Sequence, residues 1–213
     1  MARSKPAPLR EVSANNPCPF LRALVAQGLL EDTTQPLSTV ARTVTRVAAT
    51  GDGRPSLPAL AIYAIAAIAH GLLPWQVAQT QLKGLRLNGL RDGPLDKHGV
   101  GSGILDARGQ VDLGELARLD DFAVDKFDAD GRQERGLGAS ELQRFMDANF
   151  ERAREHRRVI DRKLMDGEWP VLLKVMGKQG KRGRYLALDE LHGLFIERRL
   201  PARMLDRLKP LAD

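Results

Sequence analysis

Residues 15–24 have the sequence NNPCPFLRAL and include Cys18, the only cysteine among the 213 residues. A lone cysteine cannot form an internal disulfide, so Cys18 is either an inert buried thiol or a thiol kept for its chemistry. Pro17 and Pro19 each remove a backbone donor and fix φ near roughly −65°, which holds the cysteine in a stiff turn. The apolar run that follows predicts a helix, and a thiolate at the start of a helix is stabilised by the helix dipole and by unpaired N–H groups.

Apolar residues recur at helical spacing along most of the chain. The first helix is predicted over residues 20–26 and ends at Gly28, because glycine commonly terminates helices. Residues 60–69 are apolar on nearly every face, which predicts the central helix of a bundle. Other helices are predicted over residues 38–48, 75–82, 140–164, 169–176 and 189–198. With little strand signal, the sequence predicts an all-α fold, a single-domain helical bundle.

Glycine and charged residues mark the predicted loops. Six glycines between residues 84 and 103 predict a long loop, and residues 178–184 predict a basic loop. Asp112 and Glu115 have the spacing of a helix capping box, so a further helix is predicted to begin there.

Asp128 opens a stretch that invites comparison with a calcium-binding EF-hand loop. In a twelve-residue loop starting at Asp128, however, Gln133 stands at the glycine position and Ala139 at the position of the bidentate acid. A solvated turn is therefore the interpretation of this stretch.

Composition restricts the partners and the organisation of the chain. Lys and Arg number 33 against 27 Asp and Glu, a net charge of +6 that suits haem propionates, RNA or an anionic surface, although a solvated basic surface explains it equally well. Aromatic residues make up only 5%, which argues against a nucleic-acid stacking platform. Residues 1–14 are predicted to be a flexible basic tail, residues 15–205 the helical domain, and residues 206–213 a C-terminal tail.

The apolar content also bears on location. No secretory signal is visible at the start of the sequence, so we expect a cytoplasmic protein. The most apolar stretch, residues 57–75, is interrupted by Pro58, His70, Gly71 and Pro74. A membrane span needs about 20 predominantly apolar residues, so no membrane partner is expected.

Both ends of the sequence resemble the haem-thiolate chloroperoxidase and unspecific peroxygenase family. The resemblance is carried by residues 16–19 (NPCP), 24–30 (LVAQGLL), 167–173 (GEWPVLL), 188–191 (LDEL) and 194–201 (LFIERRLP). It implies a helical protein that binds haem b, with Cys18 as the axial iron ligand and Pro17, Pro19 and Phe20 beside the cofactor. It also implies that hydrogen peroxide oxidises or oxygenates small organic substrates at the haem.

The resemblance is weaker where that family places its distal acid. A gapless match puts Asp106 at the position of the catalytic glutamate and Arg108 at the position of an acid that helps to bind magnesium. Asp106 would then move the proton, Arg108 would pair with a haem propionate, and no magnesium site is expected. His98, in a His-Gly pair before this segment, is a second candidate proton partner. A different alignment places Ile104 at the glutamate position and leaves no distal carboxylate.

Two other functions remain open from the sequence. One is a non-catalytic haem carrier or sensor with the same ligand. The other is a basic helical interaction module without a cofactor, whose Lys and Arg side chains contact an acidic partner.

Overall fold

Helices and two small antiparallel sheets form the architecture in the computed structural model, which describes residues 8–52, 59–96, 103–155 and 158–208. The first half of the chain is mainly helical. It contains α1 (Pro19–Ala26), β1 (Thr34–Gln35), α2 (Leu37–Ala48), α3 (Ala59–Ala67), α4 (Pro74–Lys83), β2 (Leu85–Arg86) and a 3₁₀ turn (Leu87–Gly89). The strands β1 and β2 pair antiparallel, and α3 packs against α2 and α4.

The second half alternates helices with the strands of a four-stranded sheet. It contains α5 (Leu113–Phe122), β3 (Val124–Phe127), β4 (Gln133–Gly138), α6 (Ala139–Arg152), α7 (Val159–Met176), β5 (Lys178–Gly180), β6 (Gly183–Ala187), α8 (Leu188–Phe195) and α9 (Ala202–Leu208). The strand order is β3-β4-β6-β5, and every neighbouring pair is antiparallel. Each of the two central strands, β4 and β6, runs directly into a helix.

The prediction of an all-α bundle is therefore wrong: the fold is mixed α/β. The glycines of β4 explain why a sequence pattern misses the sheet. A Cβ on Gly136 would lie 2.7 Å from the Tyr185 ring and 2.8 Å from the Leu186 carbonyl of the paired strand. Glycine is needed there for close approach between strands, but in a sequence the same residue indicates a loop. The predicted basic loop over residues 178–184 is the β5–β6 hairpin.

Two of the helix boundaries predicted from the sequence are confirmed, and one predicted helix is wrong. Gly28 follows the end of α1 with φ +73°, and Asp112 caps α5 by accepting the Glu115 N–H at 3.0 Å, so both signals are confirmed. The single helix predicted over residues 140–164 is wrong, because α6 ends at Arg152 and α7 begins at Val159. The turn at Asp128 is confirmed as the connection between β3 and β4.

One hydrophobic core extends from α1 and α2 to the four-stranded sheet and helices α5 to α8. Leu137 of β4 and Leu186 of β6 are directly paired and almost fully buried. A run of aromatic contacts continues the core between helices, from Phe122 through Phe145 and Trp169 to Phe195. Residues 60–69 are not central as predicted, since several large side chains of α3 are exposed. None of the helices in the described ranges is long and apolar enough to cross a membrane.

Leu137→Ala tests the buried centre of the sheet. We expect the free energy of unfolding to fall by about 2–5 kcal/mol, because a cavity opens beneath a strand pair. Leu82→Ala is the matched control, since Leu82 is 86% exposed and its truncation should change stability by no more than about 0.5 kcal/mol. Urea unfolding followed by circular dichroism measures both, and equal effects would contradict a buried Leu137.

Candidate thiolate site

Cys18 stands immediately before α1, as the sequence predicts. It is the N-cap residue of that helix and its side chain is partly buried. Its backbone N–H donates to Oδ1 of Asn16 at 3.3 Å, and its carbonyl accepts the Arg22 N–H at 2.9 Å. The cysteine therefore lies at the positive end of the helix dipole.

The side chain of Arg22, one turn further along α1, joins this helix to the loop before Cys18 and to the segment around Gly109. The residue is only 6% exposed. Nη1 donates to the Ser13 carbonyl at 2.8 Å and to the Asn16 carbonyl at 3.1 Å, and Nη2 donates to the Gly109 carbonyl at 3.0 Å. A buried guanidinium with these three acceptors fixes the loop before Cys18 against a distant part of the chain.

Arg91 makes a second link to the same loop. Its Nη2 donates to the carbonyls of Ala14 at 3.1 Å and Asp106 at 3.0 Å, and Nη1 lies 3.7 Å from Oδ1 of Asp96. Its backbone N–H donates to the Asn15 carbonyl at 3.0 Å. The residues around Cys18 thus carry two guanidiniums that are both bonded to backbone carbonyls.

A third guanidinium, that of Arg198, acts on this site electrostatically. Burial, followed by the positive charges of Arg198 and Arg91, lowers the pKa of Arg22, while the negative charges of Asp32 and the Cys18 thiolate raise it. The Arg22 guanidinium stays protonated at neutral pH. Because the attraction between Arg22 and the thiolate is mutual, Arg22 favours the ionised form of Cys18.

Two buried donors beside Cys18 have no partner among the described residues: Nδ2 of Asn16 and Nε of Arg91. Asn16 is fully buried, and its other amide atom accepts the Cys18 N–H. Leaving a buried donor unpaired costs about 1–3 kcal/mol. Such donors fit a site that holds negative charge, either the thiolate itself or an anionic group of a ligand.

Asp106 belongs to a tight hairpin that packs against the cysteine loop. A Cβ on Gly109 in this hairpin would lie 2.9 Å from the Ala14 Cα, so the two segments are in close contact. The carboxylate of Asp106 is exposed, and its Oδ1 accepts the N–H groups of Arg108 at 2.9 Å and Gln110 at 2.8 Å. The structure therefore brings Asp106 near the Cys18 loop, and it shows the carboxylate capping its own turn.

The other residues proposed from the sequence have different surroundings. Pro17 is partly buried, whereas Pro19 and Phe20 are buried in the first turn of α1. The Arg108 side chain is exposed and makes no hydrogen bond or ion pair with the described residues. His98 lies outside the described residues.

The two ends of the chain that carry the family resemblance meet in space. Helix α1 packs against α8, and Arg198 in the closing phrase has φ +53°, a left-handed conformation that ends α8. The Arg199 N–H closes this turn by donating to the Gly193 carbonyl at 3.1 Å. The positive φ of Arg198 turns the chain next to the cysteine helix.

Sequence reasoning overlooked Asn16, Arg22, Arg91 and Arg198. Arg22 had a local signal, because a residue four positions after Cys18 lies one helical turn above it. Arg91 and Arg198 had none, since tertiary contacts alone bring them to the site. Within the described ranges, no group of three or more His, Cys, Asp or Glu side chains could hold a metal ion.

A cavity of about 800 Å³ lies elsewhere, between β3, the start of α6 and the β5–β6 turn. Its lining does not include Cys18. Lys126 bonds Oε2 of Glu141 at 2.8 Å inside it. Burial of Glu141 opposes ionisation, but the bonds from Lys126, the Gly138 N–H and Ser140 outweigh it and lower the pKa of Glu141 to about 2. Lys126 and Glu141 in the cavity wall are thus paired with each other.

Comparison with known proteins finds no protein-family model, no curated protein and no solved structure that matches this chain.

Replacement of Arg22 tests the electrostatic part of the site. Arg22→Gln should slow alkylation of Cys18 by iodoacetamide at neutral pH, because fewer thiols are ionised. Arg22→Lys should slow it less, since the charge is retained. Arg42→Gln, on the exposed face of α2, is the control and should leave the rate unchanged. A rate in folded Arg22→Gln equal to that of the unmodified protein would contradict thiolate stabilisation by Arg22.

Proposed function

We propose that this protein binds haem b through the Cys18 thiolate and uses hydrogen peroxide to oxidise or oxygenate small organic molecules. The observation that carries the proposal is a partly buried cysteine at the N-terminus of α1, between two prolines and with an electrostatic interaction with the Arg22 guanidinium. Thiolate ligation pushes electron density to haem iron and favours cleavage of the peroxide O–O bond.

The chemistry of the available side chains fits the cofactor. Cys18 supplies the soft anionic donor, and the Asn16 amide is placed to hold the backbone of that donor. Haem propionates need cations, and the exposed Arg108 side chain has no partner among the described residues. The mixed α/β fold differs from the helical fold that the resemblance implies, so the proposal depends on the local site and not on the architecture.

Asp106 is the residue proposed to hold and move the proton at the peroxide. One oxygen of its carboxylate is occupied by the turn, and Oδ2 makes no hydrogen bond with the described residues. General acid–base catalysis by a positioned carboxylate contributes typically about 10²–10⁴-fold to the rate. His98 is the second proposed proton partner.

The second candidate function is a haem carrier or sensor that performs no turnover. The observation that favours it is the role of Asp106 as the cap of an exposed hairpin turn, which accounts for a carboxylate there without catalysis.

Haem reconstitution tests the ligand. The purified full chain titrated with haem b should give a ferrous–CO Soret band shifted far to the red, the signature of thiolate ligation. Cys18→Ser should lose this band, and Cys18→His should bind haem with a Soret band at shorter wavelength, because imidazole replaces sulfur. A chain that remains colourless after reconstitution would overturn the proposal and leave an interaction module without cofactor. An unchanged spectrum in Cys18→Ser would show that haem is bound through a ligand other than Cys18.

Two substitutions at Asp106 separate the enzyme from the carrier. Asn can cap the same turn but cannot carry the proton, whereas Ala can do neither. If Asp106 acts in turnover, Asp106→Asn should reduce peroxide-dependent oxidation at least about 10²-fold while haem binding is retained. Full activity in Asp106→Asn with reduced activity in Asp106→Ala would restrict Asp106 to the turn. Haem binding without turnover in the unmodified protein would identify the carrier.

A further inference from the structure

The hairpin of α3 and α4 exposes an unusual amount of apolar surface. Seven of the fifteen exposed large apolar side chains of the described residues lie between residues 60 and 82. We call them the α3–α4 face: Leu60, Tyr63, Ile65, Leu72, Leu73, Trp75 and Leu82. Leu60 is 80% exposed and Trp75 59%. A concentration of exposed large apolar side chains in one helical hairpin of a folded protein indicates an interaction site.

The exposure of α3 is unexpected for a helix of its sequence. Residues 59–67 are ALAIYAIAA, apolar around the whole helix. A helix of this composition is normally covered on all sides. Here Ile62 and Ala66 are buried against the protein, whereas Leu60 and Ile65 point outward. The outer side of α3 therefore lacks the cover that its composition requires.

Side-chain hydrogen bonds brace the corner between α3 and α4. His70 bonds the Thr80 hydroxyl through Nδ1 at 3.2 Å and the Arg86 carbonyl through Nε2 at 3.0 Å. Gln76 folds back and accepts the Leu73 N–H at 3.2 Å. These bonds hold Leu72, Leu73 and Trp75 outward on a fixed corner, so binding through them costs little conformational entropy.

The charges around the face favour one occupant. Among the described residues 33–52 and 59–91 the only acid is Asp52, whereas the bases include Arg42, Arg46, Lys83 and Arg86. The exposed acid Asp92 follows in a loop that packs on Ala69, just after α3. Asp52 is itself bonded by Arg207 at 2.5 Å. Arg42 and Arg46 lie on the exposed side of α2, which packs against α3, and Lys83 ends α4. Two copies of this chain meeting here would bring like charges together.

We propose that the α3–α4 face binds the surface of an anionic lipid bilayer. Leu72, Leu73 and Trp75 enter the boundary between headgroups and acyl chains, where tryptophan is favoured. The arginines of α2 and Lys83 contact lipid phosphates. The inference departs from our expectation of no membrane partner, and it does not depend on haem binding. It concerns a helix lying on the surface of the bilayer.

Vesicle binding by the full chain tests the proposal. Phosphatidylcholine vesicles containing phosphatidylglycerol should sediment with the protein and shift tryptophan emission to the blue, and added salt should weaken binding. The shift should vanish in Trp75→Phe, because the remaining Trp169 is only 5% exposed in the core. Phosphatidylcholine alone should bind at least about tenfold more weakly, because its headgroups carry no net charge for the basic rim.

Substitutions test whether the α3–α4 face is the surface that binds the vesicles. Leu72→Glu combined with Leu73→Glu, and separately Leu82→Glu, should each reduce the fraction of protein bound to anionic vesicles; the pair should lower the affinity at least about tenfold. Leu113→Glu is the matched control, since Leu113 is 65% exposed on α5, away from the face. Circular dichroism confirms that each variant is folded.

Three results would overturn the inference. They are no binding to anionic vesicles at low salt, equal binding by the Leu72→Glu/Leu73→Glu pair and Leu113→Glu, or a dimer in solution that this pair converts to a monomer. The last result would assign the face to a second copy of the chain.

Discussion

The buried guanidinium of Arg22 is the contact on which the cysteine site depends. It donates to carbonyls of Ser13, Asn16 and Gly109, so one side chain joins the N-terminal loop, the first helix and a hairpin far along the chain. Removing it would leave three carbonyls without their donor, at a cost of about 1–3 kcal/mol for each buried group. The same positive charge favours the thiolate, so the position of Cys18 and its charge state have a common cause.

Helix starts, ends and caps could be predicted from the sequence, because each depends on one or two neighbouring residues. The prolines beside Cys18 predicted the start of α1, Gly28 its end, and Asp112 the cap of α5. The four-stranded sheet could not be predicted in this way. Its strands pair with segments that are distant in the sequence, as Leu137 does with Leu186. The residues next to a strand give no sign of such a partner.

The candidate site, too, could be predicted from the sequence only in part. Cys18 could be proposed from its two prolines, whereas Arg91 and Arg198, which act on Arg22 electrostatically, come from distant parts of the chain. Asp106 shows the limit of a sequence match most clearly. The match proposed a catalytic carboxylate, but the fold gives that carboxylate a turn to cap, and only its second oxygen makes no hydrogen bond with the described residues.

Because Arg22 contacts Gly109, the cysteine loop cannot reach its final structure until much of the chain has been synthesised. Cys18 leaves the ribosome early, yet Arg91, Gly109 and Arg198, which complete its surroundings, are made long afterwards. At about 5–20 residues per second the interval between Cys18 and Arg198 is on the order of ten to forty seconds. During the early part of that interval the loop before Cys18 lacks the contacts with Gly109 and Arg91 that fix it in the folded protein.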